Sequence, residues 1–500
     1  MAASSPPPTK VAARQVAPQT RSFATPLFVG ELRNDGAALT RLQLLKFADH
    51  VPTRQDKAAQ TSPPPLSLVS REPQDAPEPQ ALLHFEAGER VAIALRFRDA
   101  PFKEAGNDTA LVLEGEGDTL AVRVDVRPRQ DAYALDYQVA LRNLSQVALP
   151  VGAKVSLALS TDDQDEQGGL LSGKAPGSGL RAVCAHDGSI DREDLAALKK
   201  HPFAKAGNVT FAALDRQYFV VAALRRDGAG RGCELSSDHK VIRAIVDLGG
   251  TTLAPQASWQ TNFTVYAGPK LDEEFGRIAP SLQDLTEYNM WGLPLGALAR
   301  PMVALLDTFH GWTSSWGLAI VLLTVLVKLV LLPLAYRGVV SMRKMQLLKP
   351  ELDKIRGKYP NDRERQSMEQ MKLYKERGIN PLGGCLPMLL QLPVGLALYR
   401  MLSSAVHLYH QPFLWLPDLT AKEPYPVLAV LLGGITVAQQ RLTPMNMEAS
   451  QAKMFTYVMP LMLTFLMVNL PSGLVLYIMV NSILTIVQQL VINSRAASTS

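Results

Sequence analysis

Residues 316–336, WGLAIVLLTVLVKLVLLPLAY, decide how the rest of the 500-residue chain is read. About 20 apolar residues at 1.5 Å each reach across a hydrocarbon core of roughly 30 Å, so the stretch is long enough to cross a membrane. Lys328 sits inside it, about 12 residues or ~18 Å from Trp316 and about 8 residues or ~12 Å from Tyr336. A charge at that depth is costly and normally faces a bundle interior or a wet cavity. The competing reading is a lysine that snorkels along its butyl stem to the nearer headgroups. The segment alone leaves both open.

Five hundred residues exceed one ordinary domain, and a mean hydropathy of +0.04 hides an uneven chain whose long apolar runs nearly all follow residue 312. The net charge of +5 is modest; its distribution says more than its sum. There is no Walker loop, no GxGxxG after a strand, no CxxC pair and no HExxH, hence no nucleotide or metal signature, and no cofactor is expected. Three cysteines, Cys184, Cys233 and Cys385, are too few for a disulfide scaffold. An oxidising compartment could join Cys184 to Cys233, but two unpaired buried thiols are the expectation.

Residues 1–22, rich in Ala, Pro and Ser, read as a disordered lead without an apolar run. From Phe23 to about Lys270 the hydrophobic period is two. Tyr133, Leu135, Tyr137, Val139 and Leu141 alternate with polar or small residues, as do Trp259, Thr261, Phe263 and Val265, and Val91, Ile93, Leu95 and Phe97. Asn34-Asp35-Gly36 supplies a turn, and Pro63-Pro64-Pro65 and residues 162–179 read as surface loops. Residues 23–270 are therefore expected to be an antiparallel β-sandwich domain. His186 and Asp187 beside Cys184 read as an ordinary turn.

Residues 271–312 are read as a linker and an amphipathic helix. Leu295, Leu298, Met302, Leu305, Leu306 and Phe309 share one helical face, interrupted by Pro301. Too short and polar to span, this helix is expected to lie in the membrane interface, with packing against the β domain as the alternative. Residues 313–494 are read as a transmembrane core, with residues 495–500 as a short tail. Within it, 337–380 carry twelve basic side chains, among them Arg343, Lys344, Lys349, Lys354, Arg356 and Lys358, against six acidic ones. Met342, Met345, Leu348, Leu352, Ile355 and Tyr359 form a helical stripe, Pro360-Asn361 breaks it, and Asn361 with Glu364 is placed as a capping box for a second helix ending at Gly378. A helical hairpin follows.

Four more apolar segments lie at 382–402, 425–440, 454–470 and 472–492, the middle two at the lower limit for spanning. The loop 403–424 has one lysine, Lys422, against Asp418 and Glu423, so the positive-inside rule puts the basic hairpin in the cytoplasm. Five crossings then put the β domain outside it. An exported domain needs a targeting segment ahead of it. The expectation is a start truncated relative to the complete protein, the alternative being export driven by the first spanning helix.

Residues 312–494 resemble the membrane core of the YidC family of membrane protein insertases. The resemblance is carried by WGLAIVLLTVLVKLVLLPL (316–334), YKERGINPLGGCLPMLLQLPVGLALY (374–399) and NLPSGLVLYIMVNSILTIVQQ (469–489). Residues 23–270, ending in TVYAGPK, are more loosely similar to the family's large periplasmic domain in Gram-negative bacteria. The resemblance implies an α+β membrane protein of the inner membrane: an antiparallel β supersandwich followed by a five-helix insertase core with a cytoplasmic helical hairpin. It implies a charged residue at Lys328, often arginine in relatives, within a hydrophilic groove open to cytoplasm and lipid. Thr324, Gln391, Gln439, Gln440, Asn481, Thr485, Gln488 and Gln489 could line that groove, and Tyr477 could form an apolar slide for a client helix. Nascent membrane proteins, the Sec translocon, the ribosome and lipids are the implied partners, in insertion and in chaperoning. No Asp or Glu lies within the five apolar segments.

Rival readings are a small-molecule or ion transporter using Lys328 as an anion site, without the internal repeats such folds show, and an envelope enzyme acting on carbohydrate. The eight histidines are scattered, and no clustered carboxylates support the latter.

Overall fold

The computed structural model describes residues 17–52, 56, 62–69, 83–87, 89–91, 95–97, 110–160, 179–289, 293–360, 362–378, 381–442 and 454–497. They fall into two compact units that divide after Thr286.

The first unit is a β domain. Strands β1 (Thr20–Ala24), β2 (Phe28–Arg33), β3 (Ala38–Ala48) and β4 (Pro65–Val69) pair antiparallel in chain order. The β2–β3 turn has Gly36 at φ 64° and Ala37 at φ 51°. Pro65, read as loop, opens β4, where its missing N–H is tolerated. The larger sheet uses β5 (Leu83–Ala87), β6 (Glu89–Val91), β7 (Arg96–Phe97), β8 (Leu111–Glu116), β9 (Leu120–Pro128), β10 (Ala134–Asn143) and β11 (Leu149–Ser160). To these it adds β12 (Arg181–His186), β13 (Ser189–Asp194), β14 (Phe203–Asp215), β15 (Phe219–Arg225), β16 (Gly230–Asp238), β17 (Val241–Leu253) and β18 (Ser258–Pro269). Its order is β6-β5-β11-β17-β16-β14-β15-β18-β10-β9-β8-β7, with β12 and β13 attached through β14.

The period-two reading sets the register. Leu135, Tyr137, Val139 and Leu141 of β10 face Val265, Phe263, Thr261 and Trp259 of β18, and the Tyr137 and Phe263 rings stack at 4.6 Å. The run from Val91 to Phe97, read as one strand, is split between β6 and β7, and residues 92–94 lie outside those described, as do 162–178. Asp187 at φ 46° and Gly188 at φ 77° make the tight β12–β13 hairpin turn.

One correction and one addition concern side chains in this unit. Cys184 and Cys233 are not free thiols. Strand β14 pairs with β16 from Phe203 to Val209 and with β12 from Val209 to Asp215, which brings the two buried cysteines to a Cα–Cα distance of 6.3 Å and a disulfide. A sequence separation of 49 residues gives no hint of this shared strand. The second surprise is a buried ionic cluster. Asp215, 1% exposed, accepts from Lys270 Nζ at 2.8 Å and Arg181 Nη2 at 3.0 Å, which fixes the exit of β18. Two short helices, α1 (Leu195–Lys200) and α2 (Asp272–Ile278), complete the unit.

The second unit is helical: α3 (Gly296–Thr313), α4 (Trp316–Leu347), α5 (Lys349–Lys358), α6 (Arg363–Glu376), α7 (Pro381–Ser404), α8 (Val427–Leu442), α9 (Met459–Met467), entered through a π turn at Met454–Val458, and α10 (Ser472–Ala497). Helix α3 runs through Pro301 and is not interrupted there. It also does not keep its apolar face free. Met302, Leu306 and Phe309 join Ile320 and Leu323 of α4, Met401 of α7 and Leu474 of α10 in one core, while Leu298, Leu305 and Trp312 stay exposed. The stripe wins burial in the bundle because its neighbours offer a matching apolar surface.

Within 337–380, residues up to Leu347, Met342 and Met345 among them, continue α4, and the basic helices α5 and α6 follow as two short elements. The cap of α6 is Asp362, which accepts from the Arg365 N–H at 3.0 Å; Asn361 lies outside the described residues. Gly378 at φ 64° follows its end. Among the described residues two stretches are long and apolar enough to cross a membrane, Trp316–Tyr336 and Ser472–Ile492, with shorter apolar helices at Val427–Arg441 and Thr456–Met467.

Reducing the Cys184–Cys233 disulfide in the full chain should cost about 2–4 kcal/mol. The readout is a lower urea midpoint of the β-domain transition, and an unchanged midpoint on adding reductant would show that the thiols are not bonded. Asp215→Ala removes the buried carboxylate that holds Lys270 and Arg181 and should cost about 3–5 kcal/mol in the same assay.

Candidate functional site

Helical spacing puts the polar side chains of α10 on a single row. Tyr477, Asn481, Thr485 and Gln489 are successive i, i+4 positions, with Gln488 beside them; Thr324 and Lys328 have the same relation on α4. Helices α4 and α10 pack together and bring the rows into contact. Lys328 Nζ donates to Thr485 Oγ1 at 2.8 Å, and Thr485 Oγ1 in turn donates to the Asn481 carbonyl at 2.7 Å. The lysine therefore has an internal partner, a hydroxyl, and no ion pair to a carboxylate among the described residues.

The other expected groove residues are distributed unevenly. Thr324 is 2% exposed and its hydroxyl donates to the Ile320 carbonyl at 2.7 Å, so its proton is held by its own helix. Tyr477 is in the core, 8% exposed, with its hydroxyl near Gly395 of α7, where an added Cβ would lie 3.8 Å away. Its ring belongs to the core cluster of the unit. Gln439 and Gln440 are on α8, which packs against α10, and the Gln440 Oε1 is buried without a hydrogen-bond partner. Gln488 is half-buried and Gln489 is 9% exposed. Of Gln391, only the backbone is described.

The end of the helical unit where α10 begins is tied by the segment between α7 and α8. Ser472 Oγ donates to the Asp418 carbonyl at 2.6 Å, and the Gly473 N–H to the Leu419 carbonyl at 2.8 Å. A Cβ on Gly473 would come within 2.9 Å of that same carbonyl oxygen, so only glycine fits the contact. Glu423 accepts from Trp415 Nε1 at 2.6 Å and from the Leu428 N–H at 2.8 Å, which satisfies a free donor at the start of α8. Arg400, a cation inside the 382–402 segment that the charge reading passed over, donates to the Glu287 carbonyl at 2.7 Å. Its position close to the segment's end was the available signal.

On the basic helix pair, Lys354 and Lys358 are exposed, Arg356 lies 3.6 Å from Asp353, and Arg377 bonds Glu351 at 2.7 Å across from α6 to α5. Lys358 and Arg365 flank the Tyr359 ring at 5.5 Å and 5.4 Å. For Arg343, Lys344 and Lys349 the backbone alone is described. Among the described residues no group of three His, Cys, Asp or Glu side chains is placed to hold a metal.

Two family profiles match the chain in order: "YidC periplasmic domain" over residues 21–305 and "60Kd inner membrane protein" over residues 308–499. The membrane protein insertase YidC of Anaeromyxobacter dehalogenans (strain 2CP-1) is 36% identical over 396 residues, covering 78% of this chain and 70% of its own length. That of Oleidesulfovibrio alaskensis is 30% identical over 495 residues, covering 95% and 88%. A solved structure described as an active YidC insertase with the first transmembrane domain resolved aligns over 94% of this chain and 91% of its own, at 19% identity and a TM-score of 0.37. Both halves are matched, and the relatives are matched over most of their length. The chain belongs to the YidC family of membrane protein insertases, in the form with a large periplasmic domain.

Proposed function

We propose that this chain inserts and helps fold nascent integral membrane proteins through a hydrophilic groove built around Lys328, alone or beside the Sec translocon. One observation carries the reading. A cation sits in the middle of an apolar span, and its hydrogen-bond partner is a hydroxyl rather than a carboxylate. A structural lysine in a dry bundle would be expected to have a counter-charge, because an unpaired ammonium in low dielectric is costly. A hydrated groove that receives acidic groups from outside the protein removes that conflict.

The cycle needs no bond chemistry. The basic pair α5–α6, with Lys354, Arg356 and Lys358, meets the ribosome or nascent chain at the cytoplasmic surface. A hydrophilic extramembrane segment of the client enters the groove near Lys328, and the client's apolar helix leaves sideways into lipid. Burial of that helix and the membrane potential acting on charged segments supply the drive.

The topology follows from two independent cues. The excess of basic residues over 337–380 favours the cytoplasm, and the Cys184–Cys233 disulfide favours an oxidising compartment for the β domain. Five crossings reconcile the two. Helix α8, with 16 residues, reaches ~24 Å. A span this short thins the bilayer locally and so shortens the path of the client's polar segment.

The test is insertion of a single-spanning client with a short acidic tail into liposomes containing the purified full chain. Wild type and Lys328→Arg should insert it, whereas Lys328→Ala and Lys328→Glu should fall about tenfold or more, the loss of one charge-assisted contact. Equal insertion by all four would mean that the cation plays no part. Topology is read separately with single cysteines in a Cys385→Ser background. A membrane-impermeant maleimide should label His239→Cys in intact spheroplasts and Lys358→Cys only after the membrane is opened; the reverse pattern overturns the orientation.

A further inference from the structure

An ammonium on a four-carbon stem has three rotatable donors and no fixed direction, unlike the planar fork of a guanidinium. In this chain something else must supply the direction. Thr485 is placed to do it. Its hydroxyl proton is committed to the Asn481 carbonyl at 2.7 Å, which fixes the rotor and turns an oxygen lone pair to Lys328 Nζ at 2.8 Å. The ammonium then keeps two N–H groups for another acceptor. Thr324, one turn from Lys328 on the same helix, also donates to a carbonyl one turn back, that of Ile320, but the hydroxyl in hydrogen-bond contact with Lys328 Nζ is that of Thr485. Helix α10 contains no Asp or Glu, so nothing on it offers Lys328 a carboxylate.

We propose that Thr485 is a positioning residue for insertion. It aims the Lys328 ammonium so that its two remaining donors meet a carboxylate of the client's extramembrane segment, and it thereby sets how strongly insertion depends on acidic residues in the client. This inference rests on the groove reading above. It also accounts for lysine at a position where a guanidinium would orient itself: the threonine on the facing helix supplies the missing constraint.

The experiment uses the full chain in liposomes and two clients that differ only in the tail, one with Asp residues and one with the same residues as Asn. Thr485→Val, close in shape and without the acceptor, should lower insertion of the acidic client about tenfold, the scale of a hydrogen bond to a charged group. It should leave the neutral client near wild type. Thr485→Ser should behave as wild type, and Lys328→Arg combined with Thr485→Val should recover the acidic client. Wild-type insertion of both clients by Thr485→Val overturns the proposal, and so does an equal loss of both, which would make Thr485 a residue of folding. Lys328→Ala, run in parallel, separates the two levels: if it too leaves the acidic client unchanged, the groove reading fails, and if it alone impairs that client, only the role of Thr485 fails.

Discussion

A cation held inside an apolar helix is the constraint on which the helical unit depends. Lys328 is flanked in sequence by leucines and valines, and Leu329 and Val330 next to it are 60% and 68% exposed, as side chains on a lipid-facing surface are. Between Trp316 and Tyr336 the same helix therefore presents an apolar side and one charged position. Only one rotation about its axis satisfies both, with Lys328 turned to the polar row of α10. The core formed by α3, α4, α7 and α10 through Phe309, Ile320, Leu323, Met401 and Leu474 locks that rotation. Packing decides where the cation points, and the Thr485 hydroxyl completes its direction.

The end of the unit where α4 and α10 begin serves the same geometry. The motif PSG at 471–473 resembles a turn in sequence, but its contacts make it a clasp. Ser472 and Gly473 both bond the 418–421 segment, and the missing side chain at Gly473 lets that backbone close over the start of α10. Gly317 at the start of α4 acts in a similar way, since a Cβ there would meet the Phe413 ring. Two glycines at the heads of the two longest apolar helices thus admit the same connecting segment. In the proposed orientation this would close the outer side, with the charged helix pair at the other.

Much of this was legible in the sequence, for physical reasons that also explain what was not. Strand alternation and span length are local, one-dimensional signals, and the pairing of Tyr137 with Phe263 or the extent of Trp316–Tyr336 follow them closely. The Cys184–Cys233 bond, the Asp215 cluster and the Lys328–Thr485 contact join positions 49, 55 and 157 residues apart and depend on the fold. Pro301 and the cap of α6 failed for a different reason. A proline inside a helix costs one hydrogen bond and a cap can shift by one residue, and both effects are smaller than the packing that fixes the element.

The short helices and the cation in α4 belong to one energetic argument. An uncompensated charge is least costly where water is near, and water is near where the hydrocarbon is thin. Helix α8 spans ~24 Å against a core of roughly 30 Å, and the helical stretch at 454–467 is shorter still. Both lie in the part of the chain that leads into α10, the helix bearing Thr485. On the proposed reading, a bilayer drawn in at that side would lower the cost of keeping Lys328 charged and, by the same displacement, the cost of moving a client's acidic segment past it. On that reading the lysine needs no internal carboxylate, and an internal carboxylate would occupy the donors that the proposed client contact requires.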